Sequence, residues 1–367
     1  MVMDKLCTII ALNYLPQAMT LLQSARNIYP QISITILVTD LDEEFDFSSL
    51  LPNVDIMHPY ELAISSQQLT NMRNYYDTME FATSLKPFLL MKLLDSETNT
   101  VTFLDPDTLL LSEISEGMEL ARLKGIALTP HRLTPSTLNS KDFSELKFLK
   151  YGVFNLGYIS VGTKAEKMLL WWSARLLCYS SKFPNEPVFT DQKWIDFVPA
   201  LFEFGLVSHK GYNIAPWNLD ERKLELINGD IYADGQNLRF IHFSGLSTAL
   251  ARGHKISEDF PGIFITMAQN YSCSLQANAK LVRKSSVPNS KTSQNLSYHY
   301  RQRLLNNARN NLEFKLVTRN ELKKKFILSQ SLSLIFEKSA ALNGLRDGLS
   351  VDLAKLAKKI RNFVTDF

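Results

Sequence analysis

Two continuous apolar runs separated by a helical repeat open the chain, and they decide the class of fold it can adopt. In "CTIIALNYLPQAMTLLQSARNIYPQISITILVTD" both apolar runs are β-rich and unbroken rather than alternating. That is the pattern of parallel strands covered on both faces. Between them, Leu15 to Ile28 repeats its apolar residues at helical spacing. Strand, helix and strand make a βαβ unit, so an α/β fold is expected, with a parallel sheet at this end. The loop after the first strand, with Ala11, Asn13 and Tyr14, then lies at the carboxyl ends of the strands. Open α/β sheets bind ligands there.

A helical region follows, including "EFATSLKPFLLMKLLDSE", and then "VTFLDPDTLLLSEI". Its apolar run enters a strand that delivers two carboxylates, Asp105 and Asp107, around a proline. Either both carboxylates point into solvent at the end of the strand, as in an ordinary surface turn, or a positive charge sits between them. A hard divalent cation such as Mg²⁺ or Mn²⁺ takes oxygen ligands and retains positions for substrate phosphates. Downstream, "GIALTPHR" reads as a strand, "YGVFNLGYISVGT" as a strand pair or one bulged strand, and "KAEKMLLWWSARLLCYSS" as an amphipathic helix. "TDQKWIDFVPALF" reads as a second amphipathic helix, with Thr190 or Asp191 near its cap. "LRFIHFSG" is a short strand that brings His242 to another carboxyl end.

Each of these residues also has a plain structural reading. His242 fits a hydrogen-bonded core histidine unless it converges on the aspartates, where it would be a third ligand. Asp191 fits a helix cap, Asn155 a residue satisfying backbone groups at a bulge, and Lys86 a solvated side chain at a helix start. Trp171 and Trp172 fit core and interface anchors. Trp217 and Asn218, in "YNIAPWNLDER", fit the wall of an acceptor pocket.

The chain's 367 residues suit one domain of roughly 250 residues plus an appendage. No apolar run is long enough to cross a membrane, and the N-terminal stretch lacks a secretory pattern. Three scattered cysteines form no disulfide framework or metal spacing, which points to a reducing cytoplasm. Charge is divided unevenly. Residues 280–367 carry 18 Lys/Arg and six Asp/Glu, a net +12, which leaves residues 1–279 at −9. Three regions are expected: a catalytic domain over 1–279, a polar linker over 280–297 and a basic helical region over 298–367. In the last of these, Asn320 to Leu342 reads as helix. Ser350 caps a final segment with Leu353, Leu356, Ile360 and Phe363 on one face and lysines mostly outside it. Such a helix suits an anionic membrane surface, or packing on the acidic body. Slight aromatic interleaving disfavours nucleic acid.

Six stretches in order, "ALNYLPQAMTLLQSA", "LKPFLLMKLL", "FLDPDTLLL", "FNLGYISV", "TDQKWIDFVP" and "IHFSG", resemble GT-A-fold glycosyltransferases. They are most similar to the retaining, metal-dependent enzymes of glycosyltransferase family 8. The resemblance spans roughly residues 5–250. It implies a Rossmann-like, mostly parallel mixed sheet with helices on both faces, plus a C-terminal helical extension. It implies transfer of a hexose from a nucleotide diphosphate sugar, a UDP-hexose in the first instance, to a glycan or lipid-linked acceptor. Polysaccharide or lipopolysaccharide assembly would be the setting, in the cytoplasm or peripherally at the inner membrane face.

By the same resemblance Asp105, Asp107 and His242 would hold Mn²⁺ or Mg²⁺. Ala11, Asn13 and Tyr14 would line base and ribose, and Gly245 would let the backbone approach the diphosphate. Lys86, Asp105, Asn155 and Gly157 would face the donor, with Asp191 and Gln192 beneath its sugar. The family's Lys-Pro-Trp stretch after the histidine and glycine is replaced here by "HFSGLSTALARGHK", where Arg252 or Lys255 stands nearest to the missing lysine. Two other functions fit the same residues: a non-catalytic scaffold of this fold in a glycan-assembly complex, and a D-x-D phosphohydrolase. The second is disfavoured by the βαβ unit that precedes the motif.

Overall fold

The computed structural model describes residues 3–41, 45–95, 98–136, 145–285, 287–288 and 296–310. Its strands are β1 (Met3–Ile10), β2 (Ser33–Val38), β3 (Asp55–Met57), β4 (Thr98–Leu104), β5 (Thr108–Leu110) and β6 (Ile126–Pro130). They continue with β7 (Phe154–Gly162), β8 (Gly205–Leu206), β9 (Leu224–Ile227), β10 (Asp230–Ala233), β11 (Gln236–Asn237) and β12 (Phe240–His242). Seven form a sheet in the order β3-β2-β1-β4-β7-β6-β8. β1 is parallel to β2 and β4, β2 to β3, and β6 to β8, while β7 runs antiparallel to β4 and β6. This is the expected mixed, mostly parallel α/β architecture. β9, β10 and β11 form a separate antiparallel meander, and β5 pairs with β12.

The opening unit folds as its pattern requires. The crossover helix spans Leu15–Ile28, with Pro16 in its first turn, where its missing N–H leaves nothing unsatisfied. Successive side chains of β1 alternate between two cores. Leu6 and Ile10 join one with the crossover helix, and Cys7 and Ile9 join the other with the helices Lys86–Leu93 and Glu166–Leu176. Both faces are dry, which is why the strand's sequence is continuously apolar.

The structure sharpens the sequence reading at three places and departs from it at the domain boundary. The stretch around Lys86 is two helices, Thr78–Ser84 and Lys86–Leu93, because Pro87 fits the first turn of a helix but not its interior. "TDQKWIDFVPALF" is a 3₁₀ segment, Gln192–Phe197, followed by one α-turn, Val198–Leu201, which Pro199 begins. "FNLGYISVG" is a single strand whose pairing with β6 slips: Leu128 faces Ile159, while Thr129 faces Asn155. Residues 156–158 are therefore passed over in a bulge.

The body also extends beyond residue 279. The helix Gly262–Lys284 runs through that boundary and packs beside the crossover helix, Asn278 Nδ2 donating to Thr20 Oγ1 at 2.9 Å. The helix Tyr298–Asn310 buries Leu305 in the second core. Arg301 Nε donates to Tyr75 O at 3.0 Å, and Arg309 bonds Cys178 O at 2.9 Å and Glu186 at 2.7 Å. Residues 286 and 289–295 of the expected linker, the helix expected over Asn320 to Leu342 and the terminal basic segment lie outside the described residues. Among the described residues no helix is long and apolar enough to cross a membrane.

Candidate functional site

The end of β4 turns sharply. Thr108 N donates to Asp105 O at 3.1 Å, closing a β-turn with Pro106 at its second position. The proline fixes the turn, and Asp105 N donates to Gly157 O on the β7 bulge at 2.9 Å. The chain returns as β5, and in the antiparallel register of β5 with β12 His242 lies opposite Thr108. Phe243 N donates to Asp107 O at 2.9 Å. Backbone pairing thus sets His242 Nε2 3.1 Å from Asp107 Oδ1 and 3.6 Å from Asp105 Oδ2. One ligand atom from each of the three side chains lies within 4.8 Å of the others, and no other such group converges among the described residues.

The imidazole is oriented from behind. Nδ1 of His242 faces two amide oxygens, Asn155 Oδ1 at 3.1 Å and Asn213 Oδ1 at 3.3 Å. Two acceptors on that side assign a ring proton to Nδ1, so Nε2 faces the carboxylates, donating to Asp107 when the ring is charged and offering a lone pair when it is neutral. Asn155 Oδ1 also accepts from Gly157 N and Asn213 Nδ2, each at 3.1 Å. The plain reading of Asn155 is therefore half right: it satisfies a backbone amide at the bulge, and it also holds His242. Sequence reasoning missed Asn213. It has a positive φ of 53°, and the carbonyl of the next residue, Ile214, accepts from His242 N at 2.8 Å.

Lys86 is almost fully buried and lies behind the aspartates. Its ammonium is 2.9 Å from Asp191 Oδ2, 3.9 Å from Asp105 Oδ1, and donates to Leu156 O at 2.9 Å. It also stands 4.3 Å above the Phe103 ring. It is not a solvated helix-start residue. Nor is Asp191 a cap, for its side chain makes no bond to its own helix. Asp191 Oδ2 has the ammonium beside it but no aligned hydrogen bond, so charge attraction dominates that contact. The Asp191 carbonyl takes the indole N–H of buried Trp172 at 3.0 Å, which makes Trp172 a core anchor. Gln192 spans the bulge, its Oε1 accepting from Leu156 N at 3.0 Å and its Nε2 donating to Tyr151 O at 2.9 Å.

These groups open on a cleft of about 330 Å³, whose lining includes Lys86, Asp105, Asn155, Asp191, Gln192 and His242. Trp217 lines it as well, standing edge-on to His242 with centroids 5.5 Å apart and its indole N–H unpaired. Asn218 faces inward and braces the loop, its Nδ2 donating to Asn213 O at 2.9 Å and its Oδ1 accepting from Ala215 N at 3.0 Å. It therefore shapes the pocket without lining it. His131, which sequence reasoning passed over, also lines the cleft.

Other expected residues fall on the same edge with different roles. Ala11 is buried and Asn13 exposed, and Leu12 N donates to Asp40 Oδ1 at 2.9 Å. Asp40, at the end of "LVTD", is a further carboxylate on this edge that was not foreseen. The Tyr14 hydroxyl reaches Thr248 and Ser247 and feels both aspartates. Ser247 in turn donates to Asp107 Oδ2 at 3.2 Å. Gly157 does not offer an open face: a Cβ there would lie 2.2 Å from His242 Cε1, so the missing side chain makes room for the imidazole. Gly245 has φ of 75° with open space around it. Arg252 and Lys255 are exposed beyond the short helix Ser247–Ala251.

Burial pushes the Asp105 carboxyl up to about 6, against the pull of Lys86 and then His242. Burial also opposes ionisation of Asp107, but the adjacent imidazole overcomes it and holds this carboxyl below its ordinary value. Burial alone would lower His242. The charge and hydrogen bond of Asp107 more than offset it, and the imidazole stands above its ordinary value. Two carboxylates and an oriented imidazole around one point fit a divalent cation.

No family model matches the chain. The uncharacterized protein YfnF of Bacillus subtilis (strain 168) is 27% identical over 245 residues, 65% of this chain and 80% of YfnF. Among solved structures, the galactosyltransferase LgtC in complex with donor and acceptor sugar analogs aligns with a TM-score of 0.43 at 13% identity. That alignment covers 78% of this chain and 98% of LgtC. The glycosyltransferase GlyE of Streptococcus pneumoniae TIGR4 aligns with a TM-score of 0.44 at 14% identity, over 79% of this chain and 66% of GlyE.

Proposed function

We propose that the chain is a metal-dependent glycosyltransferase. It moves a hexose from a nucleotide diphosphate sugar, a UDP-hexose in the first instance, to a glycan or lipid-linked acceptor with retention of anomeric configuration. The observation that carries this reading is the convergence of Asp105, Asp107 and His242 at the mouth of a cleft whose floor holds the buried Lys86–Asp191 pair. The register of β5 against β12 is what brings the three side chains together.

Asp105, Asp107 and His242 would hold Mn²⁺ or Mg²⁺, which when bound supplies Lewis-acid stabilisation of the departing diphosphate. Asp191 offers buried negative charge where oxocarbenium-like positive charge grows on the sugar, and it holds sugar hydroxyls. The Lys86 ammonium, 2.9 Å from Asp191 Oδ2, holds that carboxylate in place. Gln192 carries an amide and is a poor nucleophile, and both its ends are engaged with the backbone of the bulge. Same-face attack therefore fits this site better than a covalent intermediate. The acceptor hydroxyl approaches on the side where the diphosphate leaves and gives its proton to a diphosphate oxygen. Trp217 forms the acceptor wall, with its unpaired indole N–H available to an acceptor oxygen.

The test is a screen of nucleotide sugars for hydrolysis and for a rise in melting temperature, with and without Mn²⁺. The reading requires at least one donor to stabilise the protein in a metal-dependent way. It also requires Asp105→Asn to abolish turnover of that donor. A screen without any stabilising donor, or turnover retained in the variant, overturns it.

A further inference from the structure

Beyond the cleft, large apolar side chains face solvent along one rim. Leu146 and Leu149 are 74% and 65% exposed, and Val153, Phe197 and Leu201 stand near half exposure. Scattered exposed leucines are ordinary, but a joined strip is not. These are joined. Val153 N donates to Asp196 Oδ1 at 2.9 Å, and the Lys193 ammonium bonds Leu149 O. Phe197 packs 6.4 Å from Trp171 and 6.3 Å from Trp194, and Leu201 follows it by four residues. The helix Glu145–Tyr151 already spends Phe148 on the core, so its outward pair Leu146 and Leu149 does nothing for the fold.

We propose that this strip, formed by residues 145–153 and 193–201, is a contact surface for an anionic phospholipid bilayer. Lys147 and Lys150 alternate with the exposed leucines along the helix, while Lys193 is spent on Asp196 and the Leu149 carbonyl. Leucine and phenylalanine edged by lysine is the chemistry of an interfacial anchor, with apolar ends among acyl chains and ammonium groups among headgroups. The acidic groups on the strip are already engaged. Asp196 is taken by Lys193 at 2.8 Å and the Val153 amide, and Glu145 by the Ser136 amide at 2.7 Å. Five side chains on two short segments are few for a stable protein partner, whose interface takes roughly 20–30 residues a side. They suffice for an anchor that inserts only side-chain tips. The strip is continuous with the cleft, since Lys147, Phe148 and Tyr151 also line it. A bilayer seated here would meet the cleft's mouth. This inference stands apart from the proposed reaction, because lipid binding can be read without turnover.

The test is sedimentation of the full chain with vesicles of phosphatidylcholine alone or mixed with phosphatidylglycerol. Leu146→Ser/Leu149→Ser/Val153→Ser should lower partition onto the mixed vesicles by about tenfold or more, with an unchanged melting temperature. Lys147→Gln/Lys150→Gln should reduce the preference for mixed over zwitterionic vesicles. A chain lacking residues 350–367 should retain binding that the triple substitution removes, which separates the strip from the basic tail. Unchanged sedimentation of the triple variant overturns the proposal. So does loss of a concentration-dependent dimer in that variant, which would make the strip a contact between copies. A lowered melting temperature with unchanged sedimentation would mean that the strip serves the fold, and overturns it equally.

Discussion

Gly157 has no side chain because His242 occupies the space where one would be. Gly157→Ala puts a methyl 2.2 Å from the imidazole, and either the ring or the bulge has to move. Overpacking of this kind typically costs about 1–3 kcal/mol. The variant should therefore unfold at lower urea and lose most of the Mn²⁺-induced rise in melting temperature; wild-type behaviour in both would show that the ring does not need its present position. The metal response should also depend on pH. Asp105 stands at about 6 when folded, above the roughly 3.9 of an unfolded aspartate. A raised carboxyl stabilises the metal-free fold below its unfolded value, and that contribution is lost as pH rises through about 6. A cation needs the same carboxyl ionised and the His242 lone pair free, and His242 too is raised. The Mn²⁺-induced shift should therefore grow from pH 5 to pH 7.5 in differential scanning fluorimetry. A shift that stays flat across that window would remove Asp105 and His242 from the cation's ligands.

At the scale of elements, the site is assembled by register, and this explains what the sequence disclosed. The βαβ unit and the end of β4 follow local rules, so Asp105 and Asp107 could be placed from pattern alone. His242 needed its strand and a partner for it, and the pairing of β12 with β5 supplied both. Asn213, Asp40 and Ser247 were not legible. Each acts through a contact distant in sequence, and none sits in a pattern that differs from an ordinary polar loop. Burial of Lys86 was hidden for the same reason, since its partner Asp191 lies more than a hundred residues away. The loop that carries His131 is held in a comparable way. Glu221 accepts from Leu133 N at 3.0 Å and from Thr134 N and Oγ1 at 2.8 and 2.7 Å, with buried Arg222 at 3.3 Å. Glu221→Ala frees the loop and strands a buried guanidinium, a loss of roughly 3–5 kcal/mol. Glu221→Ala/Arg222→Met should recover part of that in urea unfolding. A double variant no more stable than the single one would mean that the orphaned charge is not the cause.

At the scale of the whole molecule, the helix Tyr298–Asn310 ties the end of the described chain to the second core, and its hold has an electrical component. Arg301 forms an ion pair with Glu80, a carboxylate with no solvent exposure, and stands 5.4 Å above the Phe183 ring. Burial, and then the nearby Asp77, raise Glu80 above its ordinary value, while Arg301 works in the opposite direction. Arg301→Met keeps much of the packing and removes the charge, so Glu80 should rise further. A carboxyl raised in the folded state contributes stability below its unfolded value, roughly 4.3, and that contribution is lost as pH rises through the folded value. The loss of stability caused by Arg301→Met should therefore be small near pH 4.5 and several-fold larger at pH 7. Paired urea titrations of wild type and variant at the two pH values read it directly. Equal losses at both would mean that the arginine holds its helix through packing and its bond to the Tyr75 carbonyl. A larger loss at pH 7 would mean that closing this helix on the body also neutralises a carboxylate that the core cannot otherwise keep charged.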